Sequence, residues 1–156
     1  SAVHAHGLAA AGLVEHVAAA QEAFEQVHLL SPGNFAATNN LALALVEQDD
    51  PTKRKQQMAL EYAQINSRLG PDQPQANSTL GWVYYKLGRL DEAEAALRKA
   101  STAGPVTPDT AYYYARVLYD RGRKEEAQRA IEQALKSPAP FPLRQEAEAL
   151  AAELKK

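Results

Sequence analysis

The sequence predicts an all-α fold: a solenoid of three to four stacked helix-turn-helix units closed by a C-terminal helix, with residues 1–156 forming one domain. Three observations carry this. Two amphipathic helical patterns flank a Gly88-Arg89-Leu90-Asp91 turn within residues 74–107. The same order of small and large apolar residues recurs 34 residues later. Hydrophobic residues make up 46% of the chain but aromatics only 7%, with alanine supplying much of the difference, a balance that suits closely packed helices.

Taken in order, residues 1–34 fit the repeating frame through Ala20, Phe24 and Pro32, but their first segment, AVHAHGLAAAGL, lacks large apolar residues. Residues 35–73 place Leu41, Ala42 and Leu45 on a first helix and Ala59, Ala63 and Pro71 on or after a second. The spacing from Ala42 to Ala59 is five residues longer than its later counterpart, so an insertion falls around residues 50–55. Asp50 as cap and Pro51 as first helical residue predict an elongated second helix there. Asn66 stands where later units have alanine.

In residues 74–107, Leu80, Gly81 and Tyr84 belong to the first helix and Ala93, Leu97 and Ala100 to the second. Asp91 and Glu94 read as a capping box, and Gly88 as the left-handed residue that closes the first helix. Residues 108–141 repeat the frame with Tyr114, Ala115, Leu118, Gly122, Ala127, Ile131 and Ala134, each 34 positions on. Thr107-Pro108 supplies an N-cap followed by proline at the first helical position. The small residues let helices approach closely, where bulk would force them apart. The Ser137–Pro142 stretch then breaks the helix, and residues 142–155 form a last amphipathic helix with Leu143, Ala147, Leu150 and Leu154 on one face. It caps the exposed core of the last unit, as stacked folds require.

Residues 74–107 resemble one tetratricopeptide repeat (TPR): Leu80, Gly81, Tyr84, Ala93, Leu97, Ala100 and Pro105 stand at the repeat's signature places, and Asn77 replaces the first aromatic. The resemblance implies a right-handed superhelix and extends over residues 35–156. The style of the units and the Ser-Ala start without Met suggest a bacterial TPR domain cut from a larger chain.

Little in the sequence points to catalysis, a cofactor or a metal. The chain has no cysteine, and its four histidines all lie before residue 29 at spacings that complete no ligand set. Glu92, Glu94, Glu125 and Glu126 sit near helix starts, where they favour the helix dipole. Phosphate loops and nucleophile elbows are absent, so the expectation is a non-enzyme without cofactor. A net charge of -2 and no basic face argue against nucleic acid. Residues 1–52 carry six acidic residues and no Lys or Arg, which leaves the rest, with 17 basic and 13 acidic residues, at +4. No stretch reaches the roughly 18 apolar residues of a membrane-spanning helix, so direct membrane insertion is not expected. The sequence does not choose a compartment; cytoplasm and periplasm are both open to a bacterial protein.

The TPR resemblance implies a concave groove lined by the first helix of each unit. Carried over position by position, it gives Asn39 and Leu43, with Asn40 adjacent at the groove edge; then Ser78, Trp82, Tyr85 and Lys86; then Tyr112, Arg116 and Tyr119. Glu47, Asp109 and Asp120 occupy further inner positions, and Tyr113 the groove edge. Trp, Tyr and Arg are enriched among interface hot spots. The positions needed for stacking are filled separately, so Trp82, Tyr85 and Tyr119 are free for a partner; the competing expectation packs them against neighbouring helices. The basic residues of a carboxylate-gripping clamp are missing before Lys86. The function expected is therefore a non-catalytic module that binds a peptide segment or partner helix. The alternatives are a structural spacer or self-association domain, able to form a homo-oligomer, within a larger envelope, secretion or regulatory protein, and an accessory domain of an enzyme.

Overall fold

The computed structural model describes residues 34–138 and 140–156, together with Glu22. The degenerate unit expected over 1–34 and all four histidines lie outside the described residues. Among the described residues there are seven helices and no strand: α1 Phe35–Val46, α2 Arg54–Leu69, α3 Pro74–Lys86, α4 Leu90–Thr102, α5 Pro108–Asp120, α6 Lys124–Lys136 and α7 Arg144–Leu154.

Local chemistry sets most of these boundaries. The Asn34 side chain accepts from the Ala37 amide at 3.0 Å and caps α1. Thr107 does the same for α5 through Thr110, and Pro108 fills the first helical position without losing a bond, since that amide has no intrahelical partner. Gly88 and Gly122 have φ of 78° and 79°. Each closes a Schellman turn: Arg89 donates to the Tyr84 carbonyl and Arg123 to the Leu118 carbonyl, both at 2.9 Å.

Two helix starts differ from expectation. Asp50 does not stand at the N-cap position of α2, which Lys53 takes; its carboxylate accepts from the Thr52 amide and hydroxyl, folding the chain into a tight turn, and reaches forward to accept from the Lys55 amide in the first turn of α2. Pro51 lies in that turn, Lys53 takes a left-handed φ of 61°, and the 16-residue α2 begins only at Arg54. Nor do Asp91 and Glu94 form a capping box, because the Schellman turn delivers the chain into α4 with Arg89 as a cap that lacks a side-chain bond. Glu94 is instead 6% exposed and pairs with Arg98, Arg121 and Arg123, while Asp91 pairs with Arg121. These carboxylates tie α4 to the α5–α6 turn.

Consecutive helices pack in antiparallel pairs. α1, α3 and α5 also touch side by side as an inner layer, with α2, α4 and α6 outside. Gly81 fixes the closeness of α3 to α4: a Cβ there would stand 2.5 Å from Leu97 Cγ and 3.1 Å from the Ala93 carbonyl. Leu41, Leu45, Val83, Leu97, Val117, Leu118 and Ile131 fill the space between the layers and are fully buried. Two asparagines replace apolar residues of the repeat without leaving their amide nitrogens unpaired. Asn66 Nδ2 donates to the Phe35 carbonyl at 3.0 Å, and Asn77 Nδ2 to the Pro71 carbonyl at 3.0 Å. Ala147 and Leu150 of α7 are buried, and α7 packs against α6.

Candidate functional site on the inner helix layer

The inner layer carries a stack of aromatic rings. Trp82 of α3 lies between Tyr85, one helical turn on at 4.9 Å, and Tyr113 of α5 at 4.3 Å, with ring planes within 18° and 16° of parallel. Tyr112 leans against both Trp82 and Tyr113 at 6.0 and 6.2 Å. Such offset and tilted ring pairs add about 0.5–1.5 kcal/mol each beyond the area they bury.

Polar groups fasten the edges of the stack. Trp82 Nε1 donates to Glu47 Oε1 at 2.7 Å. The other oxygen of Glu47 faces Lys86 Nζ at 3.6 Å, and that ammonium sits 5.0 Å from the Trp82 ring centre. Tyr85 Oη donates to Asp120 Oδ2 at 2.6 Å and accepts from Arg116 Nε at 3.1 Å. Arg116 also lies 5.7 Å from the Tyr119 ring centre. Burial, then the bond to Asp120, pushes the Tyr85 phenol above its ordinary range, against the pull of Arg116; burial does the same to Tyr112 and most strongly to Tyr113. All three stay neutral at physiological pH.

Two cavities open on this layer, one on each side of the stack. The larger, about 710 Å³, lies at the C-terminal ends of the first helices and takes Trp82, Tyr85 and Lys86 from α3 and Tyr112, Arg116 and Tyr119 from α5. Glu47 closes one side, and Glu146, Ala149, Leu150 and Glu153 of α7 close the other. The smaller, about 420 Å³, lies at the N-terminal ends, where Asn39 and Leu43 of α1, Gln75 and Ser78 of α3 and Asp109 and Tyr113 of α5 form its walls. Among the described residues no group of three or more His, Asp or Glu comes together to hold a metal.

The expected groove residues divide accordingly. Trp82, Tyr85, Lys86, Tyr112, Arg116 and Tyr119 line the larger cavity, Asn39, Leu43 and Ser78 the smaller, and Asn40 is exposed outside both. Trp82 is only 5% exposed and Tyr112 and Tyr113 are buried, so the aromatic row is not spare from packing. The separation expected between stacking residues and groove residues fails there: Tyr113 crosses from the next unit and closes over the indole. Trp82 is part of the floor of the larger cavity, with little surface left to bury. Ser78 is also buried, its hydroxyl 2.7 Å from that of Thr110.

The α7 wall went unnoticed in the sequence, although its signal is there. Pro74 and Pro108 are followed 34 residues on by Pro142, and the groove positions 109, 112, 116 and 119 map onto Leu143, Glu146, Leu150 and Glu153. All four line the cavity. The capping helix thus occupies the place of a further first helix.

Models described as tetratricopeptide repeat match residues 74–104 and 108–133. Among solved structures, TTC0263, a thermophilic TPR protein of Thermus thermophilus, is similar with a TM-score of 0.75 at 24% identity, over 91% of this chain and 74% of that one. The APC/C hetero-tetramer Cut9-Hcn1 is similar with a TM-score of 0.77 at 15% identity, over 90% of this chain but 27% of that one. The Yersinia enterocolitica type III secretion translocator chaperone SycD gives 0.61 at 17%, over 83% of this chain and 94% of that one. No curated protein matches the sequence. Two matched repeats in register, the stacked helix pairs and these neighbours identify the chain as a tetratricopeptide repeat protein with an all-α helical-repeat solenoid.

Proposed function

We propose that the chain is a non-catalytic protein-interaction module that takes an extended partner segment along its inner helix layer. The TPR fold supports the interaction class, and two of the similar structures are a secretion translocator chaperone and a hetero-tetramer. The observation that carries the groove reading is the larger cavity: aromatic and charged side chains from α3, α5 and α7 converge on one concavity of about 710 Å³. Its two cations are already paired, Lys86 with Glu47 and Arg116 with Asp120, whereas Glu146 on α7 has no ion pair among the described residues. That imbalance suits a segment with a basic residue beside an apolar one, the latter seated on Tyr119.

Trp82→Ala is a poor test, since it removes the core of the stack. Instead, a displayed peptide library would be selected on the whole chain and the best peptide measured by fluorescence anisotropy. Tyr119→Ala is expected to weaken it about 10- to 30-fold, as for an interface anchor worth roughly 2 kcal/mol, and Glu146→Lys to weaken basic peptides selectively. Affinity unchanged in both variants would place the binding surface elsewhere.

A second reading, self-association, is favoured by Met58 and Leu69, which are 37% and 64% exposed on α2. Eleven residues apart, they lie on one side of that helix. A concentration series in light scattering with Leu69→Lys as control decides it: association that survives the substitution counts against this face.

A further inference from the structure

We propose that the smaller cavity is a subsite for the guanidinium of an arginine side chain, with Asp109 and Asn39 as its acceptors; this rests on the groove reading and names one residue type of the partner segment. Asn39 is 2% exposed, yet its Oδ1 takes no hydrogen bond, and Asp109 Oδ1 is likewise buried and unbonded. A buried acceptor left without a donor loses its hydration and gains nothing in return, so such atoms are uncommon unless a ligand meets them. Both residues line the same space of about 420 Å³, far more than one water occupies.

The surrounding groups define the ligand's chemistry. The hydroxyls of Ser78, Thr107 and Thr110 bond to one another at 2.7 and 3.0 Å, so these three groups are engaged, and the two buried unbonded atoms of the wall are both acceptors. Asp109 is the sole Asp, Glu, Lys or Arg among the described residues of the cavity wall. An anion would meet a carboxylate and no cation. Leu43, Pro74 and the Tyr113 ring supply apolar walls for an aliphatic stem. The two acceptors stand on different helices, α1 and α5, and a guanidinium spreads five donors over a planar fork, where an ammonium is a compact point. Burial holds the Asp109 carboxyl above the ordinary carboxylate range, which a bound cation would reverse.

The probe is Nα-acetyl-L-arginine amide, titrated into the whole chain and followed by amide chemical shifts, with the lysine and citrulline analogues alongside. The expected result is saturable shifts at Asn39, Ser78, Asp109 and Thr110, at least a 10-fold weaker response to citrulline, and a similar loss in Asp109→Asn. Thermal melting by circular dichroism establishes that this near-isosteric variant is folded. Equal shifts with citrulline, shifts that persist in Asp109→Asn, or shifts confined to other surfaces each overturn the subsite. Failure here is separable from failure of the groove reading. Selected peptides that respond to Tyr119→Ala but not to Asp109→Asn would refute the subsite alone, and arginine amide bound at Asp109 with no peptide bound would refute the groove reading alone.

Discussion

Gly81→Ala tests whether helix approach, rather than helix propensity, governs the inner layer. Taken alone, the substitution favours the helix by about 1 kcal/mol, because glycine gives up more backbone freedom than alanine. Against this, the new methyl would lie 2.5 Å from Leu97 Cγ, roughly an ångström inside ordinary contact, and 3.1 Å from the Ala93 carbonyl. Leu97 is fully buried and has no solvent to retreat into. Overpacking of this kind costs about 1–3 kcal/mol, so the net expectation is a loss of about 1 kcal/mol. The next unit supplies an internal control. There Ala115 and Ile131, both buried, stand at the matching places, and Ala115→Gly should lose about 1 kcal/mol of propensity without relief of any clash. Urea unfolding of the whole chain, read by the Trp82 fluorescence and by helical ellipticity, measures both. If Gly81→Ala were as stable as the parent or more so, the close contact between α3 and α4 would not be what holds glycine at that position.

Three further outcomes are expected. Glu94→Gln, which leaves Arg98, Arg121 and Arg123 facing a neutral amide, should cost about 1–2 kcal/mol in urea unfolding; the value sits below that of a fully buried pair because the arginines are partly exposed. Asn39→Leu removes an unbonded buried acceptor and should raise stability by about 1 kcal/mol while abolishing arginine-amide binding, measured by thermal melting and titration together. The third concerns pH. Because burial raises the folded-state pKa of Asp109 above its ordinary value, the stability linked to its proton is fully present below the unfolded pKa and is lost as pH rises through the folded one. The stability advantage of Asp109→Asn over the parent should therefore grow as pH rises through that window, with urea midpoints as the readout.

The repeat frame was legible because it is written in residues whose role is the same in every unit. Ala93, Leu97 and Ala100 recur as Ala127, Ile131 and Ala134, and all six are buried. Thr107-Pro108 was legible for a related reason: a cap and its helix are neighbours in sequence. Asp50 and Asp91 were misleading because the same local pattern serves a turn and a tertiary ion pair, and only the path of the preceding chain decides between them. Asn66 and Asn77 are departures from the repeat whose purpose is not readable from sequence, since their partners, the Phe35 and Pro71 carbonyls, carry no sequence signature. Position on the inner layer followed from the repeat register, whereas burial did not. The indole is covered by a ring 31 residues away, and the distance of 4.3 Å depends on how closely α5 approaches α3.

That coverage shapes what the inner layer can do. Trp82 lines the larger cavity and Tyr113 the smaller, so the stacked pair forms the partition between them. A segment that occupies both must cross the edge of this stack, where the exposed area is small and the polar fastenings, Glu47 to the indole and Asp120 to Tyr85, hold the rings in place. For the proposed segment the crossing itself would then offer little contact, and discrimination would fall to the two ends: aromatic and acidic on the α7 side, acceptor-rich around Asp109 on the other. A rigid floor also sets the interval between those ends, because moving Trp82 relative to Tyr113 would break ring contacts and the bond to Glu47 together. On the proposed reading, specificity on this layer would be a matter of spacing as much as of residue type, with the spacing fixed by the core.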